Sequence, residues 1–176
     1  DGVLMAIIEA IETAYVEADV ATLTFSGIPA TYEHLQLRAS VRSSHDSSYL
    51  DAIHIQFNGD SASNYSTHNF NANKSAVAAG GDAGDDTVNP GYAATVGQDT
   101  AEYSVFIIDI LDYTNTNKNT SVQGTNHLGG SYTSDYLHFF SGSWRNTDAV
   151  TSILFDLTSA SWKRGSEITL YGIKSS

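Results

Sequence analysis

Apolar and polar residues alternate most clearly between Gly27 and Asp60, with a strict period of two. In the first alternating segment the apolar positions are Leu35, Leu37, Ala39 and Val41, and in the second they are Ile53, Ile55 and Phe57. A strand sorts such residues onto two faces, whereas a helix scatters them around its axis. The stretch therefore predicts two strands of antiparallel sheets, each with one buried and one solvent-exposed face. The residues predicted to close the core are Leu35, Leu37, Val41, Ile53, Ile55 and Phe57.

Further alternating or β-rich segments follow along the chain. Strands are predicted at about 20–26, 33–42, 51–58, 64–71, 102–111, 119–126, 135–144, 150–158 and 166–174. Residues 1–19 are predicted to form an N-terminal strand or arm; 6–18 also fit a helical stripe, but the strands downstream favour a strand. Eight to ten short strands separated by turn residues predict an all-β, antiparallel β-sandwich of jelly-roll type, as a single domain over residues 1–176.

Two segments depart from simple alternation. Residues 71–101 are rich in Ala, Gly and Asp without clear periodicity, which predicts a long loop of the kind that is usually functional or mobile. Residues 102–111 read E-Y-S-V-F-I-I-D-I-L and are apolar at both odd and even positions. This strand is predicted to be buried on both sides, either within the sandwich or at a subunit interface.

Charge and composition narrow the range of partners. The 176 residues carry a net charge of -12 and only eight Lys and Arg residues. Binding to nucleic acid or to an anionic membrane needs clustered cations, so neither is expected as a partner. The chain has no cysteine, and therefore no disulfide or thiolate metal site. No cofactor and no metal are expected.

The serines and the carboxylates are the candidate catalytic residues of this sequence. No G-x-S-x-G motif is present and the serines lie in turn-like runs, so a hydrolase triad is not supported. Asp109, Asp112 and Glu102 offer paired carboxylates of the kind that hydrolyse glycosidic bonds. The favoured role for Asp109 is a structural hydrogen bond, with Arg145 or a backbone donor as its partner, or a subunit contact. No catalytic residue is predicted, and the chain is not expected to be an enzyme.

The sequence G-G-D-A-G-D-D at 80–86 raises the question of calcium. Asp82, Asp85 and Asp86, with Asn89 or Asp99, supply oxygen ligands of the type that calcium prefers. Their spacing misses the EF-hand pattern, so a flexible acidic loop is the favoured interpretation.

Two groups of side chains are candidates for binding. The candidate contact face for an acidic partner consists of His34, Arg38, Arg42, His54 and Gln56, on the polar faces of two strands that are possible neighbours. An ordinary solvated sheet face is the alternative. The candidate interface or glycan-stacking aromatics are Tyr132, Tyr136 and Trp144, next to Phe139 and Phe140. Core or interface packing is the favoured role of this cluster.

Several sequence blocks carry a family resemblance. They are S-G-I-P-A-T-Y-E-H-L-Q-L-R at 26–38, I-Q-F-N-G-D-S-A-S-N-Y-S-T-H at 55–68, I-I-D-I-L-D-Y-T-N-T-N-K at 107–118, S-G-S-W-R-N-T-D-A-V-T-S-I at 141–153 and L-Y-G-I-K at 170–174. In this order the blocks resemble tailed-bacteriophage virion structural proteins. The acidic N-terminal segment and residues 80–91 depart from that pattern.

The resemblance implies a non-enzymatic jelly-roll-like protein of the virion. The first expectation is a capsid decoration or cement protein on the head surface, forming a homotrimer and binding the major capsid protein or another virion protein. The alternative is a tail-fibre or receptor-binding domain that recognises host glycans. A glycan-active enzyme using Asp109, Asp112 or Glu102 is the least favoured hypothesis.

Overall fold

Short alternating segments fold into strands throughout the part of the chain that the structure describes. The computed structural model describes residues 7–73, 75–97, 101–128 and 135–174. The strands are β1 (Ile7–Tyr15), β2 (Leu23–Ser26), β3 (His34–Ser43), β4 (Leu50–Phe57), β5 (Tyr65–Ala72), β6 (Val77–Asp85), β7 (Val88–Thr95), β8 (Ser104–Leu111), β9 (Thr120–Leu128), β10 (Tyr136–Trp144), β11 (Ser152–Leu157) and β12 (Glu167–Lys174). The predicted all-β class is confirmed, with twelve strands in the described residues instead of eight to ten.

The strands form two sheets of unequal width. Sheet A has eight strands in the order β1-β12-β3-β8-β9-β10-β5-β6, and sheet B has four in the order β2-β11-β4-β7. Neighbours are antiparallel except where Arg42 and Ser43 of β3 pair in parallel with Ala94 and Thr95 of β7, which joins the two sheets. Strand β7 also packs across β9 and β10 of sheet A. The result is a sandwich in which sheet A extends beyond sheet B on the side of β5 and β6.

The core lies between the sheets and is built from the alternation that the sequence shows. Leu35, Leu37 and Val41 of β3 face Ile53, Ile55 and Phe57 of β4, and each of the six is at most 1 % exposed. The prediction that these residues close the core is confirmed. Trp162 and Phe155 complete the same cluster.

An aromatic cluster joins the two sheets where the chain crosses from β4 to β5. The rings of Phe57, Tyr65 and Trp144 have centroids 5.7 to 6.4 Å apart. The Trp144 indole Nε1 donates to Asp60 Oδ2 at 2.8 Å, and the Tyr65 hydroxyl donates to the Asp60 carbonyl at 2.9 Å. Asn58 has a φ of 55°, as an Asn-Gly turn requires. The crossover is therefore held by its turn and by the hydrogen bonds of the Tyr65 and Trp144 rings to Asp60.

Three predictions about elements are tested by the strands. Within the segment at 6–18, Ile7–Tyr15 form the strand β1, so the strand interpretation holds for these residues. The long loop at 71–101 is wrong, because it contains β6 and β7. Strand β8 is not buried on both sides within the sandwich: Phe106 and Ile108 are buried, whereas Val105 and Ile107 on the other face are 47 % and 45 % exposed.

None of the described segments forms a helix with the length and apolar character of a membrane span.

Replacing Asp60 with alanine is expected to destabilise the protein by about 1–3 kcal/mol, because the buried Trp144 N–H loses its acceptor. Urea unfolding of D60A, W144F and the double variant measures the coupling. In the W144F background the donor is already absent, so D60A should cost clearly less there. An equal cost in both backgrounds would show that the hydrogen bond does not stabilise the crossover.

Candidate functional site

The predicted contact face does not exist as one surface. Strands β3 and β4 are not neighbours; they belong to different sheets, with His34 and Arg38 on the outer side of sheet A and His54 and Gln56 on the outer side of sheet B. Alternation correctly assigned these four residues to the side opposite the core, but it carried no information on which sheet each strand joins. The prediction of a single patch is therefore wrong.

Arg42 departs furthest from this prediction, because its side chain is only 5 % exposed. Its Nη2 donates to the Thr95 carbonyl at 3.3 Å, and its guanidinium lies 5.9 Å from the centroid of the Tyr103 ring. Strand β7 covers this end of β3. The position of Arg42, which alternation predicts to face solvent, therefore lies in the interior. Arg42 is a structural residue at the junction of the sheets.

The other residues of the predicted contact face form hydrogen bonds or ion pairs with neighbouring residues of this chain. His34 Nδ1 lies 3.4 Å from Asp112 Oδ1, and its Nε2 lies 3.7 Å from Glu33 Oε1. Arg38 Nε donates to Gln36 Oε1 at 2.9 Å, and its guanidinium lies 5.4 Å from the centroid of the Tyr171 ring.

On sheet B, His54 Nδ1 lies 3.4 Å from Asp156 Oδ1, and Gln56 Nε2 donates to the Asp86 carbonyl at 3.2 Å. The two imidazoles thus have carboxylates of this chain beside them, and they offer little free positive charge to an acidic partner.

The predicted aromatic candidates also differ in burial and location. Trp144 is 1 % exposed within the core, so it is wrong as a surface aromatic. Tyr136 is partly buried with its ring centroid 6.0 Å from that of Tyr92. Tyr132 lies outside the described residues. Phe139, which shares the same segment, is 45 % exposed.

The carboxylates considered for glycosidic chemistry are held separately. Gln36 Nε2 donates to Asp109 Oδ1 at 2.8 Å, so the partner of Asp109 is neither Arg145 nor a backbone group. Asp112 pairs with the Lys118 ammonium, which lowers the pKa of its carboxyl. Glu102 precedes β8, whereas Asp109 lies near the other end of that strand.

The acidic segment at 80–86 is mostly strand β6 and not a flexible loop. Among the described residues, the group whose ligand atoms converge within 4.8 Å of one another is Glu33, His34 and Asp112. Lys118 already neutralises part of that group. Asp82, Asp85 and Asp86 do not converge in this way, which leaves calcium without a preformed cage.

The most distinctive surface is the outer face of sheet A. Of the eleven large hydrophobic side chains that are exposed in the described part of the chain, only Val20 and Tyr49 lie elsewhere. The nine on this face are Ile8, Tyr15, Phe70, Val77, Val105, Ile107, Leu111, Leu137 and Phe139. Six of them form the apolar patch, which is defined by Phe70, Val77, Val105, Ile107, Leu137 and Phe139.

Strand register brings the patch together. Thr125 of β9 pairs with Ile107 on one side and with Phe139 on the other, and Phe139 pairs with Phe70. The rings of Phe70 and Phe139 are 6.4 Å apart. Shallow depressions of about 360 to 420 Å³ run along the same face, and one is lined by the hydroxyls of Ser66, Ser121, Ser141 and Ser143. The face is a trough with an apolar part and a hydroxyl-rich part.

Sequence pattern indicated part of this face. The two-sided apolar run at 102–111 indicated Val105 and Ile107, and the aromatic segment contained Phe139. Phe70 and Val77 were missed because each lies in a mainly polar or Gly-Ala context.

Two histidines should titrate on opposite sides of the usual histidine value near 6.5. Asp156 raises the pKa of His54, whereas burial lowers the pKa of His138. NMR titration of the imidazole protons measures both. The stabilising contribution of His54 is full below the unfolded pKa and is lost as pH rises through its folded pKa. Asp156→Asn should bring the pKa of His54 down while that of His138 stays; an unchanged His54 would contradict the pairing.

No family model matches the chain, and no curated protein matches it. Among solved structures, a mutant of the alginate lyase Aly36B in complex with an alginate tetrasaccharide is similar at 11 % identity and a TM-score of 0.25, covering 93 % of this chain and 79 % of that one. A second structure of the same lyase has 9 % identity and a TM-score of 0.21 over the same shares. A likeness this low carries no argument about fold or function.

Proposed function

We propose that the chain is a non-enzymatic structural protein of a tailed-bacteriophage virion, a decoration or cement protein that stabilises the head. It acts as a homotrimer that binds the major capsid protein or another virion protein. The observation that carries the assembly part of this proposal is the apolar patch on sheet A. The virion part comes from the sequence blocks that resemble tailed-phage structural proteins.

The size of the apolar patch supports a protein interface. Its six side chains are 41 to 65 % exposed. With roughly 80 Å² exposed on each, the patch presents on the order of 500 Å² of apolar surface, at the upper end of what monomers show. A standard interface buries about 800 Å² on each partner, of which somewhat more than half is apolar. The patch therefore matches what one partner contributes.

Symmetry links the patch to the oligomer. A two-fold dimer joins the patch to its own copy, whereas a trimer joins the patch to a different surface of the neighbouring subunit. The trimeric number follows from the resemblance to decoration proteins. Three copies on one lattice site also multiply weak single contacts into firm attachment. The net charge of -12 keeps such a protein soluble before it assembles.

Recognition of a host glycan in the tail is the second candidate. The observation that favours it is the trough on the same face, where hydroxyls of Ser66, Ser141 and Ser143 adjoin the exposed rings of Phe70 and Phe139. Sugars use this combination, because one ring face stacks on an aromatic side chain while hydroxyls exchange hydrogen bonds.

Charged substitutions in the apolar patch should abolish self-association without unfolding the chain. Ile107→Lys and Phe139→Lys place an ammonium where the subunits meet, so light scattering should change from three chain masses to one. Val20→Lys is the matched control, since Val20 is 38 % exposed but lies outside the patch. Circular dichroism checks that each variant is folded. A monomeric unsubstituted protein at micromolar concentration would rule out the homotrimer.

Location on the particle separates the two candidate functions. Cryo-microscopy of the virion is expected to find the chain on the head, and a glycan array is expected to show no binding. Density on the tail together with a glycan hit that is lost in Phe139→Ala would reverse the choice.

A further inference from the structure

A second concave site lies beside the edge strand β7 of sheet B, where the inner side of sheet A extends beyond that sheet. The cavity has a volume of about 300 Å³. It is lined by His54, Thr67, Asn69, Asp82, Asp85, Asp86, Thr87, Asn89, Tyr92 and His138. Residues Thr67 and Asn69 of β5 alternate with His68 and Phe70, so the cavity and the apolar patch occupy opposite sides of the same strands.

His138 marks this cavity as built for a ligand. Its side chain is only 3 % exposed, and neither ring nitrogen has a hydrogen-bond partner. The imidazole stands edge-on to Tyr92, with ring centroids 6.1 Å apart. A buried polar group without a partner is costly and is rare in native proteins. A ligand in the cavity would supply the missing partner.

The chemistry of the lining selects the kind of ligand. Asp82, Asp85 and Asp86 contribute carboxylates, which accept hydrogen bonds and carry negative charge. Burial favours the neutral imidazole of His138, which still offers one acceptor nitrogen. The Tyr92 ring adds a face that attracts cations. The cavity thus suits a ligand that is positively charged and rich in donors.

A metal ion fits the cavity less well than an organic cation. Among the described residues, no three His, Asp or Glu side chains of the cavity bring their ligand atoms within 4.8 Å of one another, whereas calcium needs six or more oxygens around it. Strand register also separates His138, which pairs with Asn71, from Asp82, which pairs with Thr67 four residues along β5. An elongated ligand is needed to reach both ends.

We propose that this cavity binds an organic cation, with an alkylammonium or guanidinium group held by Asp82, Asp85 and Asp86 and the other end of the ligand against His138 and Tyr92. The volume accommodates one such molecule or one basic side chain. The cation has two possible sources, a free amine or a lysine or arginine side chain of a neighbouring protein. The inference is independent of the proposed function, since it uses the opposite side of sheet A.

Calorimetry with the full chain tests the proposal, using 1,4-diaminobutane and n-butylguanidinium as free cations and an arginine- and lysine-containing peptide as the protein source. We expect millimolar or tighter binding that weakens as salt is added. Binding of the free cations alone would identify a small amine as the ligand, and tighter binding of the peptide would identify a basic side chain.

Matched variants locate the binding site. Asp82→Asn with Asp85→Asn should weaken binding about tenfold. Asp46→Asn with Asp148→Asn is the control, because it changes the net charge equally at exposed positions outside the cavity. His138→Phe keeps a ring of similar size without its nitrogens, and it should also weaken binding. Folding of each variant is checked by thermal unfolding.

Several results would overturn the proposal. They are no binding of any cation at millimolar concentration, equal losses in the two double variants, and binding of neutral monosaccharides in preference to the cations. Ile107→Lys should leave cation binding unchanged, so a failure of the cavity proposal is distinguishable from a failure of the assembly proposal.

Discussion

The unequal width of the two sheets is the constraint on which the rest of the structure depends. Four strands of sheet B cover only part of eight strands in sheet A, and adjacent strands lie about 4.8 Å apart. The inner side of β5 and β6 therefore cannot join the common core. The sequence is consistent with this geometry, because Asn69 and Asn71 occupy inner positions of β5 where a fully covered strand carries apolar residues. The polar cavity is the direct consequence.

The boundary between the covered and uncovered parts of sheet A is fixed by the aromatic cluster. Phe57 belongs to sheet B, whereas Tyr65 and Trp144 belong to sheet A, and the three rings pack together at the crossover from β4 to β5. Asp60 accepts hydrogen bonds from Trp144, Asn64 and Ala62, and the first two lower the pKa of its carboxyl most. The turn at Asp60 therefore holds the two sheets together at the point beyond which sheet B no longer covers sheet A.

The sequence predicted which residues of a strand face the core, because alternation determines this. It missed the features that depend on contacts with other strands. The core residues of β3 and β4 followed from period two because each strand has one covered face. Strand β6 escaped prediction because its Ala and Gly residues give no contrast between faces, and its backbone pairing with β5 is what makes it a strand. Arg42 and the single contact face failed for another reason: periodicity gives the side of a strand, not the sheet it joins or the strand that covers it. His138 had a weak signal, since it shares its face with the buried Phe140.

Strand β5 shows that the outer face of sheet A carries apolar residues that a face in contact only with water does not need. Near its start the apolar side is the inner one, where Tyr65 packs in the core, and five residues later it is the outer one, where Phe70 is 46 % exposed. Strand β5 keeps its register against β10, so this inversion lies in the choice of residues and not in a slip between those two strands. An outer face that met only water would be served by polar residues at no cost to the fold. Apolar residues at Phe70, Phe139 and Ile107 instead gain free energy only when another surface covers them, at about 25 cal/mol for each Å² removed from water. The inner and outer sides of the extended part of sheet A thus differ in chemistry, with carboxylates and a buried imidazole on the inner side and exposed apolar side chains on the outer side.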